Sequence, residues 1–281
     1  MSITILKSGP LTTVQDLGRP GMAHIGVPPS GALDRGALRQ ANALVGNDEA
    51  CAALEATLIG PSVRFDADTT FALTGAITPA TMDGEPVAYE TAVAAAAGQT
   101  LIVGQATNGM RSYLAVSGGI DCAQELGSRA TDTLTGLGPA PLRDGDVLPL
   151  GQDRRVPSAP HAGASGTQPG LIELILGPRA QLFSDEAIAA LASAAFTVTP
   201  QSNRVGLRLT RPALSLREQA ELPSEGMVTG ALQVPPSGEP ILMLADHPTT
   251  GGYPVIAVAT ERSLDVAAQL RPGAEVRFSV S

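Results

Sequence analysis

The chain has 281 residues, of which 43% are hydrophobic and 16% charged, a composition that favours buried cores and a length that allows two domains. A net charge of −9 and 3% aromatic residues argue against a nucleic-acid partner, because such a surface repels phosphates and offers few stacking side chains. The 31 Gly and 23 Pro residues are typical of turns between short strands, and they predict a mainly β fold with a few helices.

Several enzyme classes lack their sequence signatures in this chain. Lys7 is its only lysine, so it has neither a P-loop nor a Met-Lys-Met biotin-attachment sequence. The three histidines, His24, His161 and His247, are not at short metal-ligand spacing, and no metal site is predicted. The most apolar run, residues 92–103, is too short to span a membrane, and the two cysteines form no C-x-x-C motif. A cytoplasmic location is therefore expected.

The N-terminal part is predicted to be a β-rich domain at residues 1–155. It opens with extended chain, and the Gly- and Pro-dense residues 18–31 indicate an ordered loop. Apolar residues at helical spacing predict a helix over residues 34–45, and a short second helix is expected at residues 48–53. Short apolar runs separated by turn residues predict strands over residues 54–150.

The C-terminal part is predicted to be a second β-barrel domain at residues 171–281. Residues 156–170 have almost no apolar side chain to bury and indicate a linker or mobile loop before it. A strand is expected at residues 171–176, followed by a helix with Ser184 as its N-cap. Six further strands and a short helix at residues 263–270 complete the prediction.

A series of short segments, in the same order along the chain, resembles one protein family. The opening Thr-Thr-Val-Gln-Asp-Leu-Gly-Arg-Pro-Gly of residues 12–21 is the most specific of them. The other segments are residues 27–34, 41–47, 54–61, 113–120, 126–129, 202–209, 224–226, 230–238 and 249–254. Together they are similar to the family of the 5-oxoprolinase protein PxpC and of KipA, also called allophanate hydrolase subunit 2 or biotin-dependent carboxyltransferase. Departures at residues 128–131, 204–208 and 246–248 leave the substrate open.

The resemblance implies a fold, partners and an activity. The fold would be two cyclophilin-like β-barrel domains. The chain would work with a KipI-like B subunit and an A subunit, and the complex would open 5-oxo-L-proline to L-glutamate while hydrolysing ATP. The isolated chain is expected to be inactive. Two alternatives share the framework: a carboxyltransferase subunit that acts on urea-like amides with biotin on another carrier, and a non-enzymatic, KipA-like antagonist of a kinase inhibitor.

The first candidate binding residues lie in the opening Gly- and Pro-rich loop. Arg19 stands near Gln15 and Asp16, and an Arg fork can hold a substrate carboxylate through two hydrogen bonds. A salt bridge that pins the loop is the alternative. The matching segments add Ser30, and later Gln233 and Ser237, to the expected binding residues.

A second pair of candidates flanks Gly206. On a strand, the even spacing of Arg204 and Arg208 places both side chains on one face, where they could line an anion site or simply face solvent.

The third candidate segment follows a predicted strand near the C-terminus. Adjacent glycines there predict an anion-binding nest of backbone N–H groups or, alternatively, a tight turn with positive φ. Its expected binding residues are Thr249, Thr250, Gly251, Gly252 and Tyr253. Asp246, His247 and Glu225 are the candidate proton carriers, although a lone histidine is more often a hydrogen-bonded structural group. No complete nucleophile–base–orienter triad is found, which fits a site shared with a partner protein.

Overall fold

The computed structural model describes residues 1–152, 170–217 and 222–281. The predicted linker at residues 156–170 lies outside the described residues, except for Gly170. The chain divides into two compact units, Met1–Arg19 with Ser30–Ser165 and Pro20–Pro29 with Gly166–Ser281. The loop segment Pro20–Pro29, placed in the N-terminal domain from sequence, thus belongs to the second unit.

The first unit is built on two antiparallel sheets. Its strands are β1 (Ser2–Lys7), β2 (Thr12–Gln15), β3 (Ala53–Thr57), β4 (Ser62–Phe65), β5 (Thr69–Ile77), β6 (Ala80–Met82), β7 (Glu85–Pro86), β8 (Val93–Ala95), β9 (Thr100–Val103), β10 (Asn108–Val116) and β11 (Val147–Pro149). One sheet has the order β11-β1-β4-β9-β6-β7, and the other has the order β2-β3-β10-β5-β8.

The core of the first unit lies between these sheets. Side chains alternate between core and solvent along the strands, so that β4 buries Val63 and Phe65 and exposes Arg64. Phe65 of the first sheet stacks on Phe71 of the second, with ring centroids 5.1 Å apart. Burial of each such ring stabilises the fold by roughly 1.5–3 kcal/mol.

A helix covers the other face of the second sheet. Helix α1 (Arg35–Leu44) begins where the Asp34 carboxylate accepts a 2.8 Å hydrogen bond from the Ala37 N–H, and its Leu38 packs among small side chains of the sheet. The prediction of a second helix at residues 48–53 was wrong. The chain there forms a turn, because the Asn42 side chain donates hydrogen bonds to the carbonyl groups of Glu49 and Cys51.

The second unit is built on a closed barrel, whose strand order is β12-β19-β16-β17-β14-β13-β20. These strands are β12 (Leu171–Leu176), β13 (Ala195–Val198), β14 (Gly206–Thr210), β16 (Ala231–Gln233), β17 (Ile241–Met243), β19 (Val255–Ala259) and β20 (Glu275–Val280). A separate two-stranded sheet pairs β15 (Glu225–Gly226) with β18 (Thr250–Gly251). Helices α2 (Asp185–Ser193) and α3 (Glu261–Ala268) belong to the same unit.

The predicted mainly β fold is confirmed, with three α-helices in the described part of the chain. Ser184 caps α2 as expected, accepting a 3.1 Å hydrogen bond from the Ala187 N–H. None of the helices in the described ranges is both long and apolar enough to cross a bilayer.

Candidate functional site

The opening loop of the first unit holds a buried polar cluster at the end of β2. Gln15 is fully buried, and its Nε2 group donates 3.0 Å hydrogen bonds to Thr13 Oγ1 and to the carbonyl oxygen of Thr131. Ser30 donates to the same carbonyl at 3.2 Å. The structure therefore brings together Gln15 and Ser30, which the sequence placed in separate segments, around Thr131, which the sequence analysis did not select.

Arg19 and Asp16 belong to this cluster but do not form an ion pair. The Asp16 carboxylate accepts hydrogen bonds from the Gly18 N–H at 2.8 Å, and from the Ser128 hydroxyl and the Arg129 N–H at 2.6 Å each. Arg19, 2% exposed, donates to the carbonyl groups of Glu125 and Ala130 at 3.3 and 2.5 Å. The loop is thus pinned by backbone contacts rather than by the salt bridge considered from sequence.

In the second unit, Arg204 and Asp246 form a buried ion pair. Arg204 Nε and Nη2 each lie 3.0 Å from one oxygen of the Asp246 carboxylate, and the two side chains are 1% and 0% exposed. This fork geometry is the strongest form of a charge-assisted hydrogen bond. It engages both groups within the fold, so the geometry gives Asp246 a structural partner and supplies no support for its predicted proton transfer.

The prediction that Arg204 and Arg208 share a strand face was wrong. Arg204 lies in a bend before β14, whereas Arg208 lies on that strand and is exposed. Even spacing places two side chains on one face only when both residues lie on the same strand. Arg204 lies in the bend before the strand, and its side chain contacts Asp246.

His247 follows Asp246 directly and is bound at both ring nitrogens. Nδ1 lies 2.8 Å from the carbonyl oxygen of Pro248, and Nε2 lies 3.1 Å from the hydroxyl oxygen of Thr229. Because a carbonyl oxygen only accepts hydrogen bonds, Nδ1 carries the proton, and Nε2 of the neutral ring accepts one from Thr229. Burial lowers the pKa of His247 below its ordinary value of 6.5, which favours this neutral form.

Thr229 was missed by sequence reasoning. It lies between β15 and β16, 18 residues from His247. No local motif links these positions, and only the folded backbone brings the half-buried hydroxyl to the imidazole. A neutral histidine that accepts from a hydroxyl, with its other nitrogen held by an acceptor, is the arrangement of a general base.

The loop at residues 249–253 is held by backbone pairing. Glu225 of β15 pairs with Gly251 of β18, and the Met227 N–H donates to the Thr249 carbonyl at 2.9 Å. The alternative considered from sequence, a tight turn with positive φ, is wrong, because neither Gly251 nor Gly252 has a positive φ. Space around Gly251 is short instead: a Cβ atom there would lie 2.6 Å from Gln233 Nε2 and overlap the end of Met227, so these side-chain ends would have to shift.

The other predicted residues of the second unit are dispersed. Gln233 ends β16 and donates a 3.0 Å hydrogen bond to the carbonyl of Tyr253, whose ring is exposed. Glu225 is paired with Arg179, which the sequence analysis did not select; this hydrogen bond lowers the pKa of the Glu225 carboxyl. Ser237 lies in the exposed turn between β16 and β17, where its hydroxyl accepts from the Glu239 N–H at 3.3 Å.

The described residues contain no group of three or more His, Cys, Asp or Glu side chains that could hold a metal ion. Their polar clusters offer hydrogen-bond donors, a buried guanidinium and a neutral imidazole. Such groups suit the binding of a small polar molecule and the transfer of a proton.

The family of the chain follows from its sequence. The family of carboxyltransferase domains, subdomain A and B, matches residues 25–280. The chain belongs to this family.

Individual relatives include 5-oxoprolinase subunits and urea amidolyases. The chain is 39% identical to the C subunit of 5-oxoprolinase from Escherichia coli (strain K12) over 279 residues, which cover 98% of this chain and 90% of the relative. It is 34% identical to urea amidolyase of Saccharomyces cerevisiae over 302 residues, which cover 99% of this chain and 16% of the relative.

The fold of the chain is also similar to that of a urea amidolyase. The crystal structure of the K. lactis urea amidolyase matches the whole chain with a TM-score of 0.91 at 32% sequence identity. The chain spans 19% of that protein, so the match concerns one segment of it.

Proposed function

We propose that the chain is the C subunit of an ATP-dependent 5-oxoprolinase complex, which opens 5-oxo-L-proline to L-glutamate with hydrolysis of ATP. The observation that carries the proposal is the 39% identity to the Escherichia coli 5-oxoprolinase protein, which extends over 90% of that relative. The urea amidolyase relative is less similar, at 34%, and the likeness covers 16% of its length.

The proposed reaction makes three demands on protein side chains. Amide resonance makes the lactam carbonyl a poor electrophile, and ATP supplies a phosphoryl group that converts its oxygen into part of a leaving group. Water then adds to the ring carbon, the C–N bond breaks as the nitrogen takes a proton, and the resulting acyl phosphate is hydrolysed to glutamate and phosphate. The site must hold the substrate carboxylate, activate water and return a proton.

His247 is the proton carrier that the geometry supports best. Its neutral Nε2 accepts from Thr229, so a proton can pass between a reacting water, the hydroxyl and the ring. Glu225 and Asp246 are weaker candidates for this function, since each carboxylate is paired with an arginine. Candidate substrate contacts are the cluster around Gln15 in the first unit and, in the second unit by itself, residues 249–253.

Further proteins are needed in this proposal. The cytoplasmic enzyme also contains a KipI-like B subunit and an A subunit, and the isolated chain is inactive. ATP is used by the complex, and none of the polar clusters described above is assigned to it.

A second candidate is a carboxyltransferase that acts on urea or another open amide. The TM-score of 0.91 to the K. lactis urea amidolyase favours it. The carboxyl group would arrive on biotin attached to another protein, because this chain lacks an attachment sequence.

Substrate choice separates the two candidates. The chain is co-expressed with the products of neighbouring genes, and the purified complex receives ATP with either 5-oxo-L-proline or urea, bicarbonate and a biotinylated carrier. Glutamate from the first mixture and no carboxylated urea from the second are expected. Carboxylated urea without glutamate would replace the proposal by the second candidate.

A further inference from the structure

The cluster at the end of β2 contains three buried polar atoms without a hydrogen-bond partner. They are Gln15 Oε1, Arg19 Nη1 and Thr131 Oγ1. Their side chains are 0%, 2% and 1% exposed, and Gln15 Nε2 and Arg19 Nη2 donate to the carbonyl groups of the adjoining residues Thr131 and Ala130. Leaving such atoms unpaired is costly in the interior of a protein, so the gathering of three calls for a ligand or a bound water.

The charge of Arg19 is also uncompensated. Its hydrogen-bond acceptors are two neutral carbonyl oxygens, and no carboxylate lies within ion-pair distance of it in the described part of the chain. The Asp16 carboxylate beside it already accepts three hydrogen bonds from other groups. A buried guanidinium is normally paired with an anion, because its desolvation is expensive.

The orientation of the Gln15 amide follows from its partners. Thr131 O can only accept, so the atom that faces it must be the donor Nε2, and a flipped amide would set two oxygens against each other. Oε1 is therefore the free end, and it needs a donor. The cluster thus contains an unpaired acceptor, an unpaired cationic donor and an unpaired hydroxyl on side chains that are held at residues 130 and 131.

We infer that this cluster binds a small carboxylate that carries an amide N–H on the adjacent carbon. The carboxylate accepts from Arg19 Nη1 and from the Thr131 hydroxyl, and the N–H donates to Gln15 Oε1. 5-Oxo-L-proline has both groups, so the inference rests on the proposed function and assigns the atoms that select its substrate.

Unpaired hydroxyls alone do not define this site. Thr69, Thr78 and Thr199 also carry buried hydroxyls without a partner. No hydrogen bond links any of these three threonines to Gln15 or Arg19. Thr78 is 5% exposed and lies in the same unit as Thr131, so it serves as a matched control.

The first arm of the test compares three ligands on the wild-type protein, so its result does not depend on the folding of a variant. Isothermal titration calorimetry on the purified complex uses 5-oxo-L-proline, 2-pyrrolidinone, which lacks the carboxylate, and N-methyl-5-oxo-L-proline, which lacks the N–H. Each analogue is expected to bind roughly 10-fold to 100-fold more weakly than the acid, the usual worth of a hydrogen bond to a charged or buried group. Equal binding of either analogue, or no binding of the acid, would overturn the inference.

Thr131→Val supplies the second arm of the test. It removes a hydroxyl that has no partner in the free protein, so the melting temperature should stay the same or rise. Affinity for 5-oxo-L-proline should fall roughly 10-fold, whereas Thr78→Val should bind like the wild type. Equal affinity of the two variants would count against the site.

The inference and the proposed function can fail separately. If the complex releases glutamate with an unchanged KM in Thr131→Val, the function stands and the site is wrong. If the acid binds in a Thr131-dependent way but no ATP-dependent glutamate is formed, the site stands and the oxoprolinase assignment is wrong.

Discussion

Of the three candidate proton carriers, His247 is the one whose ring is neutral and accepts a hydrogen bond from a hydroxyl, that of Thr229. Thr229→Val removes the hydroxyl and should lower kcat for glutamate release roughly 100-fold or more, the usual effect of losing a general acid–base contact. Thr229→Ser keeps the hydroxyl and should retain most of the activity. Steady-state kinetics of the complex, measured at saturating ATP, compares the two variants. Equal rates for Val and Ser would remove Thr229 from the reaction.

The burial of His247 also makes the stability of the fold depend on pH. The folded protein holds this ring neutral, with its pKa lowered by burial, whereas the unfolded chain takes up a proton near the ordinary value of 6.5. The unfolded state therefore binds more protons below that pH, and the free energy of unfolding falls as the pH decreases.

His247→Gln should show a smaller loss of stability between pH 7.5 and pH 5.5 than the wild type, because the substituted side chain does not titrate. Urea unfolding at several pH values measures the difference between the two proteins. Parallel curves over this range would contradict the buried neutral imidazole.

The buried Arg204–Asp246 ion pair leads to a prediction about the stability of the second unit. Arg204→Met removes the guanidinium that pairs with the buried Asp246 carboxylate and should cost roughly 3–5 kcal/mol of unfolding free energy. The double variant Arg204→Met/Asp246→Leu removes both charges and should be considerably more stable than Arg204→Met alone. Urea denaturation of the single and double variants gives the comparison. An additive loss in the double variant would show that the two charges are not coupled.

At the scale of elements, β18 contains a glycine, Gly251, that has little free space around it and no positive φ. Gly251→Ala directs a methyl group at Gln233 Nε2 and the end of Met227, and it should cost roughly 1–3 kcal/mol. Gly252→Ala is the matched control, since nothing lies within 4 Å of its added Cβ. Thermal unfolding should separate the two variants; equal melting temperatures would show that the β15–β18 pairing has room for the methyl group.

Elements with strong local signals could be predicted from sequence. Strands β12, β19 and β20 have the expected bounds, because each is a short apolar run between turn residues. Helix α2 was located by its N-cap, Ser184. The turn at residues 48–53 was taken for a helix because its hydrogen bonds come from the Asn42 side chain, which a local pattern does not reveal.

The candidate site could be predicted only in part. The segment around Arg19 was found through its resemblance to a family, but its relation to Thr131, more than 100 residues away, is created by the fold. The same holds for the 42 residues that separate Arg204 from Asp246 and for the 18 that separate Thr229 from His247. Hydrogen bonds between distant segments depend on strand order, which apolar periodicity does not encode.

At the scale of the whole molecule, the chain is similar to the C subunit of 5-oxoprolinase and to urea amidolyase. Its identity to the 5-oxoprolinase relative extends over nearly that entire protein, whereas its likeness to urea amidolyase concerns one segment. The proposed binding and proton transfer rest on the neutral imidazole of His247 and on the buried guanidinium of Arg19.

The most direct test of this account measures ADP and glutamate in the same samples over time. The complex is prepared with the wild-type chain and without it, and both receive 5-oxo-L-proline and ATP. The account predicts equal amounts of ADP and glutamate from the complete complex and neither product when the chain is omitted. Glutamate at an unchanged rate without the chain, or ADP without glutamate from the complete complex, would contradict it.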